Sequence, residues 1–164
     1  MATRHNVVRE GLVAGVLGAT SVAVWFLILD VFAGRPFYTP AILGTALLGV
    51  LGPAGTEGAV THVIVYTIFH YGVFCLAGML LTAVVHHAEV ESSVLAGALI
   101  LFVAFEIGFY GFTALLSQHE LLGDLAWYQI GIGNLLAAGA MGTYLWRRHP
   151  ELSQEFVHAL GGSE

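Results

Sequence analysis

The chain has 164 residues, 57% of them hydrophobic and only 10% charged, with a mean hydropathy of +0.83. Soluble domains carry about 25% charged residues, so the composition points away from a water-soluble fold and toward an all-α polytopic membrane protein, one integral domain over residues 1–164. All five basic residues are arginine, set against eleven acidic ones; that balance argues against a nucleic-acid partner and a polybasic lipid anchor, and a single cysteine, Cys75, excludes a disulfide framework within the chain.

Residues 11–29, GLVAGVLGATSVAVWFLIL, form an uncharged run that at about 1.5 Å per residue covers a hydrocarbon core of roughly 30 Å. Arg4 and Arg9 precede it as in a secretory signal. The run is longer than a signal's apolar region, however, and it leads into Asp30 without a small-residue cleavage site, so it reads as a first membrane-spanning helix. The connection 31–59 carries its own helix signals: Thr39 as N-cap, Pro40 in the first helical position, and Gly52 with Pro53 as the stop. A helix over 40–51 is too short to span and is expected to be interfacial or re-entrant. Three further spans are expected over 60–85, 94–116 and 125–146, uncharged except for Glu106. Pro150 then opens an amphipathic helix over 150–160, where Leu152, Phe156 and Leu160 recur at helical spacing.

Arg4, Arg9, Arg147 and Arg148 flank the outer ends of the first and fourth spans, and Arg35 alone lies on the opposite side, which places both termini in the cytoplasm. Gly11, Gly15 and Gly18, with Ala14, make small-xxx-small pairs of the kind that let helix backbones approach in lipid. Packing within the chain is the simplest use of that face, and an interface with a second copy or a larger membrane complex is the other.

Depth counting along these directions puts His70, Glu106 and Asn134 near mid-membrane, with Thr20 and Ser21 at a similar level. His62, Tyr66 and His70 share one face at i, i+4 and i+8, and Glu106 and Tyr110 repeat that spacing on the third span. Together they describe a polar cleft that opens outward and ends at His70 and Glu106, whereas the inner half of the bundle is expected to be apolar. A carboxylate at mid-membrane costs on the order of 3 kcal/mol unless paired, and His70 is its expected partner. Nearer the outer surface His62, Asp30 and His119 are candidate metal ligands. Ser-flanked and terminal histidines are expected to be solvated, and Cys75 to be a packing residue.

The segment from Trp25 to Gly44, WFLILDVFAGRPFYTPAILG, resembles the opening of small bacterial four-helix membrane proteins, through Asp30, Gly34, Arg35, Pro36, Thr39 and Pro40. The resemblance implies a bacterial plasma (inner) membrane setting and attaches no activity.

No GxSxG, Walker A or HExxH pattern occurs, and Gly131-Ile-Gly133 falls inside a span, so no enzyme is indicated. The expected function is that of an accessory subunit of a membrane redox complex in electron transport, with a cleft suited to a metal, haem or quinone. Two alternatives stay open: a proton-coupled transporter or channel with His70 and Glu106 as relay, weakened by the apolar inner half, and a membrane enzyme acting on lipid or quinone through a His/Glu acid–base pair.

Overall fold

The computed structural model describes residues 6–51, 58–88 and 127–149. These form the four helices α1 (Val7–Phe32), α2 (Tyr38–Leu51), α3 (Ala59–Ala88) and α4 (Trp127–Arg148). Two of them, α1 and α3, are long and apolar enough to cross a membrane. With 14 residues, α2 is about 21 Å long and shorter than a hydrocarbon core. Although α4 has the length of a span, Gln129, Asn134, several glycines and its terminal arginines dilute its leucines and isoleucines. The runs expected over 94–116 and 150–160 lie outside the described residues.

The first helix exceeds the uncharged run at both ends, because hydrogen bonding rather than hydropathy terminates a helix. At its start the Asn6 side-chain oxygen accepts from the backbone N–H groups of Val8 at 3.2 Å and Arg9 at 3.4 Å, an N-cap that carries Arg9 and Glu10 into the helix. At its end Gly34, at φ 70°, donates its N–H to the Val31 carbonyl, and Arg35 donates to the Asp30 carbonyl. This pair of bonds is a Schellman stop, which needs a left-handed residue at the Gly34 position. No atom lies near the place a Gly34 Cβ would take, so Gly34→Ala should cost backbone strain alone, about 1 kcal/mol. Thermal unfolding in detergent should show that loss, with Gly34→Asn retaining part of the stability.

Thr39 does not cap α2 in the way its sequence suggests. The helix begins one residue earlier, at Tyr38, and the cap comes from the preceding helix. The Asp30 carboxylate accepts from the Thr39 N–H at 2.8 Å and from the Thr39 hydroxyl at 2.7 Å. A carboxylate at a helix N-terminus meets both the orphan donors and the positive end of the dipole. Phe37, just before the helix, sits at φ 66°, and the Arg35 guanidinium lies 4.0 Å over the Tyr38 ring.

The centre of the bundle is α1, packed mainly on α3 and then on α4, while α2 packs on α3. Gly11 faces the Met79 backbone and Gly15 faces Phe74 and Cys75, so α1 and α3 run antiparallel. Trp25 Nε1 donates to the Gln129 carbonyl at 2.9 Å and Gly18 meets Met141, so α4 is antiparallel to α1 as well. The glycine face of α1 is thus spent on contacts within the chain. A Cβ at Gly11, Gly15 or Gly78 would overlap backbone atoms of the facing helix, the close approach expected of small-xxx-small pairs. Beside this seam Ala14, Val85, Met141 and Leu145 form the buried apolar core.

Candidate functional site

Of the residues expected to line a polar cleft, His70 and Tyr66 meet at a cavity between α1, α2 and α3. Its volume is about 210 Å³, with Thr20, Asp30, Thr39, Tyr66, His70 and Tyr71 as its polar or amphipathic lining and apolar side chains such as Phe26, Phe37 and Val63 between them. His70 is buried, and its Nε2 lies 3.1 Å from the Ala19 carbonyl oxygen. A carbonyl only accepts, so Nε2 carries the hydrogen and, in the neutral ring, Nδ1 is left with its lone pair. The ring is fixed by neighbours on its own helix: Tyr66 stacks on it at 5.5 Å, and Phe74 lies 4.7 Å away. Opposite, Thr20 is within 3.0 Å of the Tyr71 hydroxyl and donates to the Val16 carbonyl, so that the Tyr71 hydroxyl is the donor of their mutual bond.

Asp30 shares this cavity, with both carboxylate oxygens engaged by Thr39, whereas the remaining expected residues are dispersed. His62 lies half-buried on the α2–α3 seam, its Nδ1 at 3.2 Å from the Thr45 hydroxyl, where a Cβ at Gly44 would strike its backbone. Asn134 is half-buried on α4 and does not line the cavity. Glu106, Tyr110 and His119 lie outside the described residues, and with them the expected His70–Glu106 pair.

The end of the bundle expected to face the cytoplasm, where α1 begins, departs from its expected apolar character. Glu10 from the first turn of α1, His86 from the last turn of α3 and His149 just beyond α4 converge there. Glu10 Oε2 stands 3.1 Å from His149 Nε2 and 3.5 Å from His86 Nε2. His149 is wholly buried, and Glu10 is 7% exposed. Among the described residues this is the one group of three or more His, Cys, Asp or Glu side chains whose ligand atoms converge. Hydropathy analysis passes over it because each member sits just outside an apolar run. The available signal is positional: Glu10 directly precedes the first run, His86 directly follows the second, and His149 lies shortly after the fourth.

Comparison with protein-family models, curated proteins and solved structures finds no match. The two polar regions therefore have to be read by their own chemistry.

Proposed function

We propose that the chain is an integral membrane protein whose α1, α3, α4 and apolar run 94–116 cross the bilayer, with α2 interfacial or re-entrant and both termini cytoplasmic. Exposure supports this reading. Only 28% of the most apolar stretch of α1 and 22% of that of α3 is buried, and Leu12, Val16, Ile28, Ile64, Ile68 and Leu76 stand exposed. A water-soluble protein turns helices this apolar into its core, whereas lipid covers them without cost. Because α1 is antiparallel to both α3 and α4, α3 ends where α1 starts and α4 starts at the other end; 94–116 is the run suited to the return. Arg9, Arg147 and Arg148 then share one side and Arg35 takes the other.

Within that frame the cavity at His70 is a site for a single-ring amphiphile of the quinone class, and the chain serves as an accessory subunit of a membrane redox assembly. The observation that carries this is His70 itself: with Nε2–H committed to Ala19, Nδ1 can accept a hydrogen bond from a quinol hydroxyl. Size agrees. An apolar cavity of about 150 Å³ accommodates benzene, so about 210 Å³ suits one substituted ring and falls short of a haem macrocycle. Haem ligation through Nε2 would also break the bond to Ala19.

A proton-relay reading gains one observation, the titratable group at the inner end. Between that group and His70, however, α1 and α3 meet through Gly11, Gly15 and Gly78, and glycine offers no side chain to pass a proton. The ligand reading stands ahead for that reason.

The test is photolabelling of the detergent-extracted protein with a ring-labelled azidoquinone, together with quantitation of quinone in an organic extract. Label should fall on α3 between Tyr66 and Tyr71. His70→Phe, which keeps an aromatic ring but removes the acceptor, should weaken competition by unlabelled quinol about tenfold, the equivalent of one hydrogen bond. Absence of both co-purifying quinone and specific label in the wild-type protein would rule the reading out.

A further inference from the structure

We propose that Glu10, His86 and His149 form a binding site for a divalent transition ion, zinc or an ion of the same ligand preference, at the end of the bundle where α1 begins and α3 and α4 finish. The site is separate from the His70 cavity and does not depend on how that cavity is read.

The donor set is the first reason. One carboxylate with two imidazoles is a recognised zinc set with an open fourth position, and the same pair of histidines with one carboxylate also suits ferrous iron; magnesium and calcium prefer oxygen throughout. Geometry is the second. Ligand atoms about 2.0–2.2 Å from a tetrahedral zinc stand about 3.3–3.6 Å from one another. Here the Glu10 oxygen lies 3.1 and 3.5 Å from the two Nε2 atoms, and all three ligand atoms fall within 4.8 Å of one another. The Glu10–His86 edge already has that length and the Glu10–His149 edge is slightly shorter, at hydrogen-bond length, so a slight parting of Glu10 from His149 with a small rotation of His86, whose side chain is 21% exposed, would seat the ion. The His86 and His149 rings meet edge to face at 78°, so neither ring stacks over the other and both present Nε2 to the same carboxylate oxygen.

Placement is the third reason. The three ligands come from three chain segments far apart in sequence, so the site exists only when the bundle is assembled. Val85 and Leu145, both buried, lie one residue from His86 and four from His149, and a carboxylate beside such a core is stabilised by cationic partners. A divalent ion satisfies the carboxylate and both imidazole lone pairs together. Its binding free energy also becomes stability of the bundle, because the unfolded chain has no preformed site.

The full-length protein in detergent, stripped with EDTA and returned to chelator-free buffer, should take up one zinc per chain against a competing chromophoric chelator. Glu10→Gln and His86→Ala should each weaken uptake by more than about 100-fold, beyond the range seen for loss of an outer partner, while His62→Ala should leave it unchanged. Cobalt in place of zinc should give the strong visible absorption of a four-coordinate ion, with two imidazoles visible by X-ray absorption. Wild-type uptake no higher than that of the Glu10→Gln/His86→Ala double variant would overturn the site and leave a hydrogen-bonded Glu–His–His group. Should a variant fail to fold, the cobalt experiment on the wild-type protein decides: X-ray absorption without imidazole scattering overturns the proposal equally.

Discussion

Gly15→Leu should separate α1 from α3 and cost more than about 3 kcal/mol, above the usual range for an overpacked core. The reason is that the obstacle is backbone. A Cβ at Gly15 would meet the Phe74 carbonyl and the Cys75 Cα, and no rotamer change in either helix makes room for it, so the helix axes themselves have to part. In the bilayer setting proposed above, packing rather than water exclusion holds helices together, and this seam joins α1 to α3 backbone to backbone. Gly15→Ala should already be harmful, by about 1–3 kcal/mol. Gly72→Ala on α3 is the matched control: nothing lies near its Cβ position, and helix propensity alone predicts a gain of up to about 1 kcal/mol. Unfolding midpoints in increasing sodium dodecyl sulfate check the series, and equal effects at Gly15 and Gly72 would show that the α1 face meets only lipid.

Asp30→Ala should release α2 from the end of α1. Thr39 is only 3% exposed, so losing the carboxylate strands two buried donors, the Thr39 N–H and hydroxyl, at about 1–3 kcal/mol each. Asp30→Asn keeps one acceptor oxygen and should fall between Asp30→Ala and wild type. Thr39→Val removes one donor and takes it from the buried Asp30 Oδ1, while the Thr39 N–H keeps Oδ2, so it too should be milder than Asp30→Ala. Because Phe37, Thr39 and Pro40 wall the cavity at His70, the same order should appear in azidoquinone labelling as well as in thermal stability. Unchanged labelling in Asp30→Ala would separate the cavity from the cap.

The parts of this fold that can be read from sequence are those governed by patterns along one helix. The apolar runs mark α1, α3 and α4 to within a few residues, and the small-xxx-small pairs at Gly11, Gly15 and Ala14 mark the face that is buried. What escapes is what depends on where helix ends meet in space. Asp30 looks like a candidate ligand because a carboxylate near the outer surface beside histidines suits a metal, yet its partner is Thr39, nine residues on and across a turn closed by left-handed Gly34 and Phe37. The Glu10, His86 and His149 group is hidden for the same reason. Each residue alone resembles the polar edge of a span, and only the antiparallel arrangement of α1 against α3 and α4 brings the three to one point. His70 lies between these cases: its companion Tyr66 follows from helical spacing, whereas its bond to the Ala19 carbonyl does not.

The seam where Gly11 and Gly15 press against α3 has an electrical side. From Glu10 to Ala19 is about 14 Å along α1; at Gly11 and Gly15 the seam is backbone against backbone, and at Gly18 the Met141 and Phe74 side chains close it. A field crosses such a seam without any atom moving. At an effective dielectric constant near 20, unit charges about 14 Å apart still interact by about 1 kcal/mol, and the counterions that screen such interactions at a wet surface have no room to enter. A change of charge at the inner histidines is therefore felt at His70 with no moving part between them.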